Sequence, residues 1–341
     1  MRHNRGVLEP ADQPLPQSHD LAVLDLDGVV YVGRQAVPGA VDALDRAREA
    51  GMKVAFVTNN AARTPEAVAE HLRRLGVSAE ADDVVTSAQA AARLVAGLVP
   101  AGSPVFLLGG DGLEQALAER SLRPVTGPHG GVAAVVQGFA PDMPWRRVVD
   151  GAMLVRDGVP WVASNMDLTI PTERGLGPGN GTLVDLVARF SGRRPQVAGK
   201  PEAALFEETL DRVGGRRPLF VGDRLDTDIA GAVAVGWHSL LLMTGVTDVT
   251  ALVGARAGQR PSYLGADLGV LLEPQPAVRP GHDPACTTTV GGWTARVEDG
   301  RVRVTGDGGP SDWWRALAGT AWAHLDHTGR PVAAAPARPP G

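Results

Sequence analysis

Two aspartates one residue apart, Asp25 and Asp27, follow the apolar run Leu21–Leu24 and directly precede Gly28. A short apolar run of this kind predicts a strand buried on both faces, as in a parallel sheet. Residues i and i+2 of a strand project to one side, so both carboxylates leave its carboxyl end into a shared space. That end is where open parallel sheets bind ligands. Two carboxylates so close repel one another unless a cation sits between them or one carries a proton. An isolated Asp-x-Asp is also a common polar turn, so its meaning depends on what accompanies it.

A second cluster lies two hundred residues on. Leu219–Val221 predicts another short buried strand, Gly222 lets the backbone turn tightly, and Asp223 emerges at the carboxyl end. Asp226 and Asp228 follow as the chain enters a helix. Carboxylates are favourable at a helix N-terminus, which accounts for Asp226. Asp223 adds a third strand-end carboxylate to Asp25 and Asp27, an oxygen-rich, partly hydrated set that suits Mg²⁺. The basic residues hold one more clue. Of 33 Lys and Arg, only Lys53 and Lys200 are lysines. A chain that otherwise uses Arg keeps Lys where a compact ammonium is needed and a planar fork does not fit. Lys53 sits in a turn before a strand and reads as solvent-exposed, which leaves Lys200, in VAGKPEAALF, as the candidate.

Alternating strands and helices must position these groups. Val41–Gly51 has helical spacing closed by a glycine, and Lys53–Asn60 (KVAFVTNN) reads as a second buried strand ending in three small polar residues. A short right-handed crossover places Thr58, Asn59 and Asn60 beside Asp25 and Asp27. A helix opening at Thr64 and Pro65 runs to Gly76, and another spans Ser87 to about Leu98. From Ala101 to Pro195 a second strand–helix series forms a self-contained sheet with its own helices. Within it, Asp167–Gly181 is rich in Gly, Pro and Thr and reads as an irregular loop, equally suited to plain surface or to facing a substrate.

Whole-chain properties narrow the function classes. At 341 residues and 44% hydrophobic, the chain has room for two or three domains. Its net charge of -5, without a basic run, argues against nucleic-acid binding. Cys286 is the single cysteine, so an internal disulfide or cysteine-rich zinc site is excluded. No apolar stretch approaches a membrane span or a signal-peptide core, so the chain reads as soluble and cytoplasmic.

DLDGVVY, FVTNN, GKP and GDRLDTDI, in this order, resemble the four motifs of the haloacid dehalogenase-like phosphatases. The resemblance spans Asp20 to Gly269. The long interval between FVTNN and GKP, with ASNMDLTIPTERGLGPGNG inside it, resembles the NagD-like subclass with a large inserted α/β cap. It implies an α/β fold: a Rossmann-like parallel-sheet core (18–98 and 196–270) with an inserted α/β cap (99–195). It also implies that Asp25 is the nucleophile forming an aspartyl phosphate, and that Asp27 protonates the leaving alcohol and then activates water. Asp25, the main-chain oxygen of Asp27 and Asp223 would hold Mg²⁺. Thr58, the backbone of Asn59 and Lys200 would bind the phosphoryl oxygens, with Asn60 supporting them. Asp228 is equally compatible with direct coordination and with support of the metal ligands. A dehalogenase expels halide, which needs no proton, so Asp27 favours a phosphatase; mutase or phosphotransferase chemistry stands behind it. A mobile cap would close over a small phosphorylated metabolite, glycerol 3-phosphate first, with pyridoxal phosphate, phosphoglycolate, nucleotide and sugar phosphates as alternatives. In the different-class reading the chain is a binding or scaffold protein that retains only the fold.

Outside that span, residues 1–17 read as a flexible leader, 271–285 as a proline-rich linker and 334–341 as a disordered tail. Residues 286–333 read as a small α+β appendage. TARVEDGRVRV predicts a hairpin about Asp299 and Gly300, and SDWWRALAGTAWAHLD a helix with Ser311 as N-cap. Trp314, Leu317, Ala318, Ala321, Trp322 and Leu325 share one face of that helix. A module this small should dock on the core or on a second subunit, and the cap or this module could also mediate a homo-oligomer. This C-terminal module resembles part of an acetyltransferase fold, but without a Gly-rich pyrophosphate loop, which argues against acetyl transfer.

Overall fold

The structure, a computed structural model, describes all residues except 1–5, 129, 173, 284–285, 334–337 and 340–341. Its contacts divide the chain into two compact units: Met1–Ala55 with Leu75–Ser78 and Gly215–Gly341, and Phe56–Arg74 with Ala79–Gly214. The boundary falls inside a strand, Lys53–Thr58.

In the first unit, Leu21–Asp25 pairs in parallel with Pro218–Gly222, which pairs with His238–Leu242 and in turn with Tyr263–Gly265. The first half of Lys53–Thr58 flanks Leu21–Asp25 on its other edge. Every strand is a near-continuous apolar run because helices cover both faces of such a sheet. Leu24 lies opposite Val221. This register brings Asp25 and Asp223 to the carboxyl ends of neighbouring strands.

The stretch expected as a flexible leader is instead bound to this unit over residues 6–17, while residues 1–5 lie outside the described residues. Leu8 and Leu15 are buried. The Glu9 N–H donates to Ser262 O at 2.8 Å, and Ala11 exchanges backbone hydrogen bonds with Gln275. Two leucines and a few backbone groups suffice to order a polar, proline-rich segment once a complementary edge is present. The expected linker behaves similarly. Gln275 is buried, and Arg279–Pro280 pairs antiparallel with Thr287–Val290. Residues 284–285, and 334–337 and 340–341 of the expected disordered tail, lie outside the described residues.

The appendage is a four-stranded antiparallel sheet (Arg279–Pro280, Thr287–Val290, Trp293–Glu298, Arg301–Gly306) followed by the helix Pro310–Thr328. Asp299 and Gly300 have φ of 51° and 73° between the paired Glu298 and Arg301. This is the two-residue turn whose twist matches a hairpin. The helix starts one residue before the expected cap, because Pro310 is already set to the first helical position and Gly309 precedes it. Ser311 Oγ accepts the Ala266 N–H at 3.1 Å instead. The module docks on the core of its own chain. Trp293, Trp313, Trp314, Leu317 and Trp322 share one apolar cluster with Ile229, Leu241, Leu252 and Leu264. The Trp322 indole donates to Leu252 O at 2.7 Å, and Arg260 makes two 2.7 Å bonds to Asp326 beneath the same ring. Arg315, fully buried, donates to Gln275 Oε1 and to the carbonyls of Glu9 and Pro276; burial pushes its pKa down to about 10.

His19 is buried, with Nε2 2.9 Å from His238 Nδ1. Burial and the neighbouring His238 lower its pKa from 6.5 to about 4. Between these two values the unfolded chain binds a proton that the folded chain does not. Stability therefore falls as pH drops through that window, by about 3 kcal/mol at most from this group. Urea unfolding at pH 7 and pH 4.5 should show a smaller acid loss in His19→Gln than in the unsubstituted chain. An equal loss would remove His19 as the cause.

In the second unit, Phe56–Thr58 continues the strand and pairs in parallel with Val84–Thr86. A separate five-stranded parallel sheet runs in the order Gln196–Val197, Trp161–Ala163, Ala134–Gln137, Pro104–Leu108, Arg123–Val125. The helices Trp145–Arg156 and Asn180–Ser191 cover one face, burying Val155, Val184 and Val187 against Phe106, Val135 and Trp161. The loop expected to be irregular contains an antiparallel ribbon, Thr169–Thr172 with Gly175–Pro178. A two-stranded ribbon needs only backbone pairing and tolerates Pro at its edges, so composition alone hides it.

Candidate active site

In the first unit, ligand-capable oxygens of Asp25, Asp223 and Asp228 lie within 4.8 Å of one another. Asp223 and Asp228 are fully buried and Asp25 is partly buried. Asp223 is held from two directions. Its Oδ2 accepts the Val246 N–H at 2.6 Å, and its carbonyl accepts both the N–H and the hydroxyl of Thr247. Gly28 and Gly245 make room for this carboxylate. A Cβ on Gly28 would stand 2.5 Å from Asp223 Oδ2, and one on Gly245 would overlap it. Gly28 also needs the left-handed conformation, φ 85°, for the turn after Asp27.

Asp228 reaches the group through a π-helical turn, Leu225–Ile229, that begins two residues after Asp223. One of its oxygens accepts the N–H groups of Asp223 and Arg224 at 3.2 and 3.1 Å. It therefore both fixes the turn that carries Asp223 and belongs to the carboxylate cluster. Gly222 lacks a side chain because a Cβ there would lie 2.5 Å from Asp228 Oδ2. Asp226 is turned outward in an ion pair with Arg224. The side chain of Asp27 is exposed and outside the cluster. Three carboxylates this close are relieved by a cation among them or by a proton on one of them. With only hard oxygen donors and no His or Cys, the set fits a cation such as Mg²⁺.

The second unit holds Thr58, Asn59, Asn60 and Lys200. Thr58 ends its strand, and its hydroxyl oxygen accepts the Asn60 N–H at 3.0 Å. Asn60 Oδ1 accepts the Ala62 N–H at 2.8 Å, so this carboxamide shapes the turn. Asn59 Oδ1 accepts the Lys200 N–H at 2.9 Å, and Asn59 Nδ2 donates to Lys200 O and to Asp167 Oδ1. The Asn59 carbonyl accepts Ser87 Oγ–H at 2.5 Å and Asn165 Nδ2–H at 2.6 Å. Lys200 is only 4% exposed, whereas Lys53 is exposed. The sequence marked Ser87 only as a helix start and Asp167 only as the start of a loop, and it gave no sign that they or Asn165 would meet Asn59. The partners of Asn59 lie 28, 106, 108 and 141 positions away, beyond any local pattern.

A family model described as haloacid dehalogenase-like hydrolase matches residues 22–123, and one described as HAD-hydrolase-like matches 197–271. A GCN5-related N-acetyltransferase like domain matches 290–339. The chain is 42% identical to the D-glycerol 3-phosphate phosphatase of Mycobacterium tuberculosis, over 87% of this chain and 82% of that protein. It is 37% identical to an acid sugar phosphatase of Staphylococcus aureus, over 66% of this chain and 86% of that one. Among solved structures, a glycerol phosphate phosphatase from M. tuberculosis in complex with magnesium superposes with a TM-score of 0.84 at 41% identity, covering 95% of both chains. A thermostable NPPase from Geobacillus stearothermophilus gives 0.67 at 30%, covering 74% of this chain and 97% of its own. With strand-end carboxylates, four ordered motifs and relatives matched over most of their length, this chain belongs to the haloacid dehalogenase-like hydrolase family.

Proposed function

We propose that the protein is a Mg²⁺-dependent phosphatase that hydrolyses glycerol 3-phosphate to glycerol and phosphate. The observation that carries this reading is the Asp25, Asp223 and Asp228 cluster at the strand ends. Bound by Asp25, the main-chain oxygen of Asp27 and Asp223, with Asp228 beside them, Mg²⁺ supplies positive charge that offsets repulsion between a phosphate dianion and a carboxylate. Asp25 is the nucleophile: one carboxylate oxygen forms a bond to phosphorus as the bond to the alcohol oxygen breaks. Asp27 gives its proton to that departing oxygen. It then takes a proton from the water that attacks phosphorus and releases phosphate from Asp25. The exposed position of Asp27 suits a group that exchanges protons with leaving group and water in turn. Thr58, the Asn59 backbone and Lys200 bind the phosphoryl oxygens, and Asn60 holds their turn.

Glycerol 3-phosphate is supported by the M. tuberculosis phosphatase, which matches more of this chain in both sequence and structure than the sugar phosphatase or the NPPase. The reading includes a cytoplasmic location. Among the described residues, no helix is long and apolar enough to cross a membrane. Phosphate release should be measured with Mg²⁺ and with EDTA on glycerol 3-phosphate, pyridoxal phosphate, phosphoglycolate, nucleoside monophosphates and sugar phosphates. The expected result is metal-dependent release led by glycerol 3-phosphate. Another ester in the lead would overturn the substrate, and no release from any would favour a binding protein.

A further inference from the structure

We propose that the side chain of Asn59 is a positioning residue for Lys200: its carboxamide fixes the lysine backbone and ties it to Asp167. The inference rests on the phosphatase reading and extends it to a group whose side chain has no assigned role there.

A lysine ammonium rides on a flexible four-carbon stem, so its placement depends on how firmly its backbone is held. One carboxamide grips Lys200 at two points, accepting its N–H at 2.9 Å and donating to its C=O at 3.2 Å. A carboxamide offers an acceptor and a donor side by side in one plane without depending on protonation. Nδ2 has a second hydrogen, and it points to Asp167 Oδ1 at 3.3 Å. The Asp167 N–H in turn donates to Asn165 Oδ1, and Asn165 Nδ2 donates back to the Asn59 carbonyl. Three chain segments thus meet at one residue. The contact is close enough to restrict position 199: a Cβ there would lie 2.6 Å from both Asn59 Oδ1 and Ser164 O. With both Nδ2 hydrogens and Oδ1 engaged by the chain, the carboxamide is committed to holding Lys200 rather than to gripping a ligand. Loss of Asn59 should therefore act through the lysine.

A double-mutant cycle on phosphate release separates this from ordinary structural damage. The full chain would be compared with Asn59→Ala, Lys200→Ala and the double variant, each checked by thermal melting. Asn59→Asp and its own double variant with Lys200→Ala stand in should the alanine variant not fold; aspartate keeps the size and the acceptor but cannot donate. The expected result is a fall of about 100-fold in kcat/KM for Asn59→Ala, and a change below about threefold when the same substitution is made on Lys200→Ala. Equal losses in both backgrounds, or an Asn59→Ala or Asn59→Asp enzyme with unchanged kcat/KM, would overturn the proposal. An unsubstituted chain that releases no phosphate from any ester would instead overturn the phosphatase reading and the inference with it.

Discussion

Replacing Asp25 with Asn is expected to lower phosphate release by about four orders of magnitude or more, because a neutral amide is a far poorer nucleophile toward phosphorus than a carboxylate. The substitution keeps size and shape at a partly buried strand end, so the fold should persist. It also removes one of three negative charges lying within 4.8 Å of one another. In EDTA, Asn at this position should therefore melt at the same temperature as the unsubstituted protein or above it, since like charges in contact oppose folding. Mg²⁺ should raise the melting temperature of the variant less than that of the original, because one ligand has been lost. The two measurements together separate a missing nucleophile from a damaged fold. Near-normal turnover in the variant would remove Asp25 from the nucleophile role.

The second large effect concerns the appendage. Trp313 is 1% exposed and stands edge-on to Trp314, ring centroids 4.8 Å apart, inside the cluster that joins the terminal helix to Leu241, Leu252 and Leu264. Truncation to Ala leaves a cavity between two layers and should cost about 3–5 kcal/mol. Urea unfolding followed by tryptophan fluorescence would measure it, and limited proteolysis would show whether the C-terminal helix is released first. Trp145, 65% exposed on the second unit, is the control: its replacement by Ala should change stability by less than about 0.5 kcal/mol. A similar small effect at Trp313 would mean that the appendage contributes little to the core it covers.

Features encoded by neighbours along the chain are legible in the sequence by itself. The alternation that puts Asp25 at a strand end, the Gly222–Asp223 turn and the Asp299–Gly300 hairpin each depend on a few adjacent residues. So does the apolar face of Pro310–Thr328, whose spaced Trp314, Leu317, Trp322 and Leu325 are all buried. Hydrophobic period and turn chemistry are local, and a single sequence carries them in full.

Features that depend on distant partners are not legible in that way. Residues 6–17 look like a leader because nothing in them announces Ser262 and Gln275, whose backbones they meet. The Asp167–Gly181 composition suits a loop, yet backbone pairing makes part of it a ribbon. Ser311 has the chemistry of an N-cap, but Pro310 starts the helix before it and Ala266 claims its hydroxyl. The same division runs through the candidate site. The sequence determined which residue types could do the chemistry: the aspartates, Thr58 and Lys200, one of only two lysines among the arginines. Only the tertiary structure decided that Asp228 joins Asp25 and Asp223, and that the Asn59 carboxamide clasps Lys200 from 141 positions away. A hydrogen bond needs its partners within about 3 Å in space. Separation along the chain neither requires nor forbids that approach, so no local pattern can record it.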